Sequence, residues 1–464
     1  MLNRFNRYHL FVLLAVLSLW VGLLPSYYSE EGVYTVSSFE MLFNHNYYMT
    51  YLGGNIYGRP PLYNWCILGV ARIIGYSHML LAARIVTITA TIGSAAVTYG
   101  LARVLTRNPL LPLLAVLSFL SGDLLFRRSW IAYADPTFAF FISVAILCMW
   151  FGYSKNQQRW LWLVLPLLSA AFLTKALTCY VFYGMTVLIL LIRERRWQYF
   201  FHPISLTVHI ATLAFPLIWF FLISENSALS TRMTWDVWNP FADYTWSLTG
   251  YVVELLNKIL VYILRWAPLS FIVLYAILRK NQAQHAEIDP TPSWVKTLFY
   301  ALCWNVLPYF LTPGKDQIRY LLPLYPFISV LCAYVLVYRV SPVVLRWTMA
   351  SLVICIGCKL LVSPWGVPWF SHMSPNFDRV AQEIMHRTRS YPLYATDNVN
   401  MIGILDALRY PAPPLVFPDP HVQDCFYIGD PKLHPNDTIL HNYILYRGYD
   451  VCGIFCRGKA CNVS

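Results

Sequence analysis

The chain has 464 residues, of which 58% are apolar and only 12% charged, and its mean hydropathy is +0.50. Soluble domains carry charge on roughly a quarter of their residues, so a soluble globular protein is excluded. The net charge of +12 would suit nucleic acid, but the basic residues are spread over short loops between apolar runs, and no nucleic-acid partner is implied.

Apolar runs of membrane-spanning length fall at 9–25, 79–102, 109–125, 136–152, 159–173, 176–192, 203–223, 251–277, 296–311, 320–338 and 343–362. The first is long for a signal peptide and no small-residue cleavage site follows, so it reads as a retained helix. Basic residues mark alternate loops: Arg4 and Arg7, Arg103 and Arg107, Lys155 and Arg159, Arg193 with Arg195 and Arg196, Arg279 with Lys280 and Lys296, and Arg339 with Arg346. Insertion favours Lys and Arg in the cytoplasm, which puts the N-terminus inside and the C-terminus outside. The fold class expected is a polytopic α-helical membrane protein of about 11–13 transmembrane helices.

Three outward segments carry more than topology requires. In 26–78, the stretches 38–49 and 61–75 show apolar residues at helical spacing and are expected to lie in the outer interface. The segments 126–135 and 224–250 are expected as further outward loops. From about 363 the spans stop, with PWGVPWF as an aromatic junction. The tail alternates β-like runs (YPLYATD, PPLVFPD, CFYIGD, HNYILYRGYDVCGIF) with one helical pattern, NFDRVAQEIMHRTRS. Two domains are expected, a transmembrane domain at 1–362 and a small extracytoplasmic α/β domain at 363–464. Cys425, Cys452, Cys456 and Cys461 fall in this tail; an even number fits two disulfides in an oxidising compartment, with zinc as the alternative.

Carboxylates and cations collect on the outward side. The acids include Glu30, Glu31, Glu40 and Asp135; the bases include Arg59, Arg84, Lys175, Lys315 and Arg319. Basic residues there run against the insertion bias. Arg and Lys can neutralise a lipid phosphate, and a carboxylate can take a proton from an attacking hydroxyl. Pairing of acids with bases and contact with anionic head groups are the alternatives.

The ordered motifs SEEGVY, FEML, LGGNIYGRPPLYNW, ADPTFAFF at 134–141, FLTK at 172–175 and PGKDQIRYLLPLYP at 313–326 resemble ArnT-like and protein-mannosyltransferase-like enzymes. These are integral-membrane glycosyltransferases of the GT-C class that use polyprenyl-phosphate sugars. The resemblance covers most of 9–340. It implies an inverting glycosyltransferase acting at the outer face, with a polyprenyl-phosphate-linked sugar as donor. A membrane lipid of the lipid A kind, another glycan or a protein hydroxyl would be the acceptor. The localisation implied is an inner membrane, with the active site and tail periplasmic.

Carried over by position, the family's catalytic Asp falls on Glu30, the following acid on Glu31 and the phosphate-binding Lys on Arg59. Asp135 takes the second-loop acid position, and Lys175, Lys315, Arg319 and Tyr320 fall where the family lines its lipid-phosphate cavity. Either Glu30 or Glu31 serves as base in this reading. The sequence departs from the family with Glu30 for an Asp and with Gly58 where an acid precedes the Lys. No nucleotide-binding loop is present and no soluble nucleotide is needed; no cofactor is singled out, and a divalent cation is the one the resemblance allows. A transporter or flippase of an anionic lipid, and a catalytically inactive scaffold, are the rival readings.

Overall fold

The computed structural model describes residues 2–23, 27, 30–57, 59–121, 131–175, 177–222, 247–266, 269–278, 292–311, 318–371, 377–418, 421–446 and 450–462. Lys315, most of the two outward segments 126–135 and 224–250, and Arg279 and Lys280 lie outside these residues.

The helices are α1 (Leu2–Leu17), α2 (Glu31–Phe43), α3 (Leu62–Ile74), α4 (Met79–Leu105), α5 (Leu110–Ser121), α6 (Ala134–Lys155), α7 (Val164–Thr174), α8 (Thr178–Glu194), α9 (Pro203–Leu222), α10 (Leu248–Arg265), α11 (Leu269–Leu278), α12 (Ser293–Leu311), α13 (Tyr325–Tyr338), α14 (Pro342–Ser371), α15 (Phe377–Arg387) and α16 (Val399–Arg409). Among the described residues, four helical stretches are long and apolar enough to cross a membrane: Tyr76–Leu105, Ala134–Lys155, Pro203–Leu222 and Arg319–Tyr338. Further apolar helices, α5 among them, are shorter. The expected span at 251–277 is two helices, α10 and α11. The junction PWGVPWF does not end the helical part, because α14 runs through it to Ser371.

The chain divides into two compact units, Met1–Leu19 with Ile88–Ser129 and Ala134–Lys359, and Trp20–Thr87 with Trp130–Tyr133 and Leu360–Ser464. The first is a helix bundle. Its α5 is apolar on every side and buried from Leu111 to Leu120, as befits a helix enclosed by others; α1 and α13 pack on it, α6 and α9 on α7, and α12 on α8. Interior polar groups are matched across helices: Tyr183 on α8 meets His209 on α9 at 3.1 Å, and Asn305 on α12 donates to Thr186 on α8 at 3.3 Å. Ile210, Leu217 and Phe221 on α9 and Val253 and Leu256 on α10 are exposed, a surface suited to lipid.

In the second unit the tail forms a four-stranded sheet of β3 (Leu393–Ala395), β4 (Cys425–Gly429), β5 (Thr438–Tyr446) and β6 (Asp450–Arg457). The order is β3-β4-β6-β5, with β3 parallel to β4 and the rest antiparallel. Every residue of the central β4 is buried. Val380, Ala381 and Ile384 of α15 and Met401, Ile402 and Leu405 of α16 share a core with Phe426, Ile428 and Ile454 of the sheet. Two expectations are corrected here. PPLVFPD is not a strand: Pro413, Pro414 and Pro418 have no N–H for a ladder, although Ala395 still donates to the Val416 carbonyl. One disulfide forms among the described residues, Cys456–Cys461, while Cys425 and Cys452 lie buried in the sheet without a second bridge. Helix α16 is not among the patterns expected from the sequence; Asn398 caps it by accepting from the Met401 N–H.

The same unit holds the first outer loop. Here α2 begins at Glu31, ahead of the amphipathic stretch expected at 38–49, and stops at Phe43; residues 31–41 are all buried. It is enclosed because α3 and α16 both pack on it. The hairpin β1 (Tyr51–Leu52) to β2 (Asn55–Ile56) turns through Gly53 and Gly54 at positive φ, and the Glu40 carboxylate accepts both glycine N–H groups at 2.5 and 3.1 Å. The α2–α16 crossing depends on small residues: a Cβ on Gly32 would stand 2.2 Å from the Val399 carbonyl oxygen.

Gly32→Ala is therefore expected to destabilise this unit by about 2 kcal/mol, overpacking outweighing the gain in helix propensity; thermal unfolding of the purified protein in detergent checks it. A pH dependence follows from two buried acids. Burial pushes the Asp406 carboxyl up to about 8, although it accepts from the Leu415 N–H, and pushes Glu40 up to about 7. Both folded-state values lie above those of the unfolded chain, so the fold binds the extra protons and loses stability as pH rises, from about 4 until the folded groups ionise. Denaturant unfolding between about pH 5 and 8 should show this slope, at most about 1.4 kcal/mol per pH unit for each group, and Asp406→Asn should reduce it.

Candidate active site

The two adjacent acids at the start of α2 have different surroundings. Glu31, in the first turn, is wholly buried. Arg84, on α4 and 1% exposed, donates to it twice, Nε to Oε1 at 2.8 Å and Nη2 to Oε2 at 2.6 Å. The Ala132 N–H adds a third bond to Oε1 at 2.8 Å. This is the paired geometry in which a guanidinium best satisfies a carboxylate. Glu30 is the N-cap residue of α2, half-buried, and its carbonyl accepts from the Val33 N–H.

Arg59 extends from the segment before α3. Thr50 fixes its backbone on both sides, accepting from the Arg59 N–H at 3.1 Å and donating to its carbonyl at 2.8 Å. Its Nη1 donates to the Tyr34 hydroxyl at 2.7 Å, and its guanidinium lies over the rings of Tyr34 and Tyr57. Tyr34 is held edge-on to Tyr63 and Tyr133. Asn64 on α3 ties the two helices together, donating to the Ser37 and Ser38 hydroxyls at 2.8 and 2.9 Å. Thus a carboxylate, a guanidinium and phenol rings are presented from α2 and the loop before α3.

A second cluster lies within the bundle unit. Asp135 sits in the first turn of α6 and is 3% exposed. Lys175, the C-cap residue of α7, forms an ion pair with it. The Lys175 ammonium also lies 3.9 Å from the centroid of the Tyr320 ring and 5.8 Å from that of Phe138. The Arg319 guanidinium lies 5.8 Å from the Tyr320 centroid. Asp135, Lys175 and Tyr320, singled out far apart in the sequence, therefore come together, with Arg319 the chain neighbour of Tyr320, while Lys315 lies outside the described residues.

Arg84 stands among the outward basic residues of the sequence, outside the motifs that assign roles there. A lone Arg inside the apolar run at 79–102 requires a buried acid, so the signal was there. Tyr34, Asn64 and Glu40 had none beyond their motif. Among the described residues, no three His, Cys, Asp or Glu are gathered as they would be around a metal ion.

Residues 58–227 match a family of dolichyl-phosphate-mannose-protein mannosyltransferases. The undecaprenyl phosphate-alpha-4-amino-4-deoxy-L-arabinose arabinosyl transferase of Pseudomonas paraeruginosa is 26% identical over 40% of this chain and 34% of its own length. That of Edwardsiella ictaluri is 24% identical over 66% of this chain and 54% of its own. The chain thus spans between a quarter and about half of the length of the curated relatives it matches. The crystal structure of ArnT from Cupriavidus metallidurans bound to undecaprenyl phosphate superposes with a TM-score of 0.71 at 16% identity, covering 97% of this chain and 98% of that one. The same protein in its apo state gives 0.68.

Removing one partner of the buried ion pair is expected to cost about 3–5 kcal/mol in Glu31→Gln or Arg84→Met, and the double substitution less than the sum; a double-mutant cycle of unfolding free energies measures the coupling. Sequence over 58–227 is similar to the dolichyl-phosphate-mannose-protein mannosyltransferase family, and the fold over nearly the whole chain is that of the Cupriavidus ArnT structures.

Proposed function

We propose that this protein transfers a sugar from a polyprenyl-phosphate donor to a membrane lipid of the lipid A kind, or to another glycan or protein hydroxyl, at the outer face of the membrane. The observation that carries the reading is the difference in burial between the two acids. Glu31 is engaged by three donors in a buried pair, which suits a structural group, and half-buried Glu30 beside it suits the proton acceptor. The names of the curated relatives and the undecaprenyl phosphate in the Cupriavidus structure support the donor class.

In this reading an acceptor oxygen attacks the anomeric carbon, and its proton passes to the Glu30 carboxylate. The bond from the anomeric carbon to the phosphate oxygen breaks with inversion, and the polyprenyl phosphate leaves with the electron pair. Arg59 neutralises the charge that develops on the leaving phosphate, so it helps the transition state more than the ground state. Lys175, Lys315, Arg319 and Tyr320 are assigned to the lipid phosphate on the sequence pattern, and Asp135 to orienting Lys175 through their ion pair. The membrane is proposed to be a bacterial inner membrane, with the N-terminus cytoplasmic and the tail periplasmic.

Membranes carrying wild type, Glu30→Gln or Arg59→Ala, with lipid-phosphate and glycolipid pools read by mass spectrometry, test the reading. Wild type should consume a polyprenyl-phosphate sugar and both variants should let it accumulate, with rates lowered about 100-fold or more. Identical pools in all three would overturn the assignment of chemistry to this site and favour a transporter or scaffold.

A further inference from the structure

We infer that the β1–β2 hairpin positions Arg59, with Glu40 holding its turn and Thr50 passing that hold on to the arginine; this rests on the transferase reading above. Glu40, from the FEML motif, takes no part in the chemistry proposed there, yet it is 1% exposed on α2. Burying a carboxyl is costly unless donors meet it. Both of its oxygens accept from the hairpin turn, Oε1 from the Gly53 N–H and Oε2 from the Gly54 N–H.

A hairpin with two residues per strand does not hold its shape alone. Gly53 and Gly54 stand at φ +64° and +82°, the backbone that a tight two-residue turn demands. Phe417 of the tail grips the same turn: its N–H donates to the Gly53 carbonyl at 3.2 Å, and its ring leaves no room for a Cβ on Gly53. From the turn the pairing runs one step beyond the strands, where the Tyr57 N–H donates to the Thr50 carbonyl at 2.9 Å. The Thr50 hydroxyl then takes Arg59 by both of its backbone groups. Tyr57, the partner of Thr50 in that last pair, also supplies one of the two rings under the guanidinium. Helix α2 thereby acts on Arg59 at two points, directly through the Tyr34 hydroxyl and through the hairpin by way of Glu40. All of these residues belong to the second unit.

The test uses the full chain in detergent with undecaprenyl phosphate as the probe, its binding read by calorimetry. Glu40→Ala and Thr50→Val are each expected to weaken binding roughly tenfold, and Thr50→Ser, which keeps the hydroxyl, to bind like wild type. In an Arg59→Ala background neither Glu40→Ala nor Thr50→Val should cost more than about twofold, because the group they position is gone. Amide exchange at Arg59 should speed roughly tenfold in Glu40→Ala, although the bonds removed lie at the turn. Losses that multiply in the Arg59→Ala background would assign both residues to general stability and overturn the inference, as would Thr50→Ser binding as weakly as Thr50→Val. If Glu40→Ala does not fold, Thr50→Val carries the same cycle. If Arg59→Ala binds as tightly as wild type, or wild type does not bind, it is the phosphate role of Arg59 in the transferase reading that fails; unchanged exchange at Arg59 in Glu40→Ala would overturn the positioning in either case.

Discussion

The buried pair between Glu31 and Arg84 is the constraint around which the outer-loop unit is built. Taking both charges out of water is costly, and the cost is offset only when geometry and remaining hydrogen bonds are nearly complete. Here the two guanidinium bonds and the Ala132 N–H meet that condition. The pair joins the start of α2, the first turns of α4 and the short segment 130–133, three pieces far apart in sequence. The direction in which α2 presents Glu30 follows from where that pair locks it. The two neighbouring acids differ because Glu31 opens the helix while Glu30, at the N-cap, stands outside it with non-helical backbone angles.

Much of this was legible before any fold was known. The apolar runs, the basic loops and the switch to a β-rich tail follow from hydropathy and alternation, which depend on single residues and their near neighbours. Glu30, Glu31 and Arg59 stood out for the same local reason, as charges crowded beside a membrane span. The convergence of Asp135, Lys175, Arg319 and Tyr320 was signalled only by motif order, and the ion pair and ring contacts give it physical form.

What escaped the sequence was set by long-range packing. The stretch at 38–49 looked amphipathic because α3 and α16 were not yet beside it; with both in place, its helix is enclosed. PPLVFPD has the apolar residues of a strand but too few donors, and pairing needs donors. Two disulfides were expected from an even cysteine count, yet the count says nothing of which thiols lie within bonding reach. Asn400 and Arg84 could not be joined to the acid pair by any local rule, since their partners lie 368 and 53 residues away.

The split composition of the second unit has a consequence for biosynthesis. Its α2 precedes most of the helix bundle along the chain, whereas α16, which covers it and accepts from its first turn, follows the whole bundle. Until then Glu31, Gly32 and the face that meets Val399 lack part of their native cover. A chain without α16 would lack both the cover of α2 and the Asn400 acceptor for the Gly32 N–H. Assembly of the outer-loop core thereby awaits the arrival of α16.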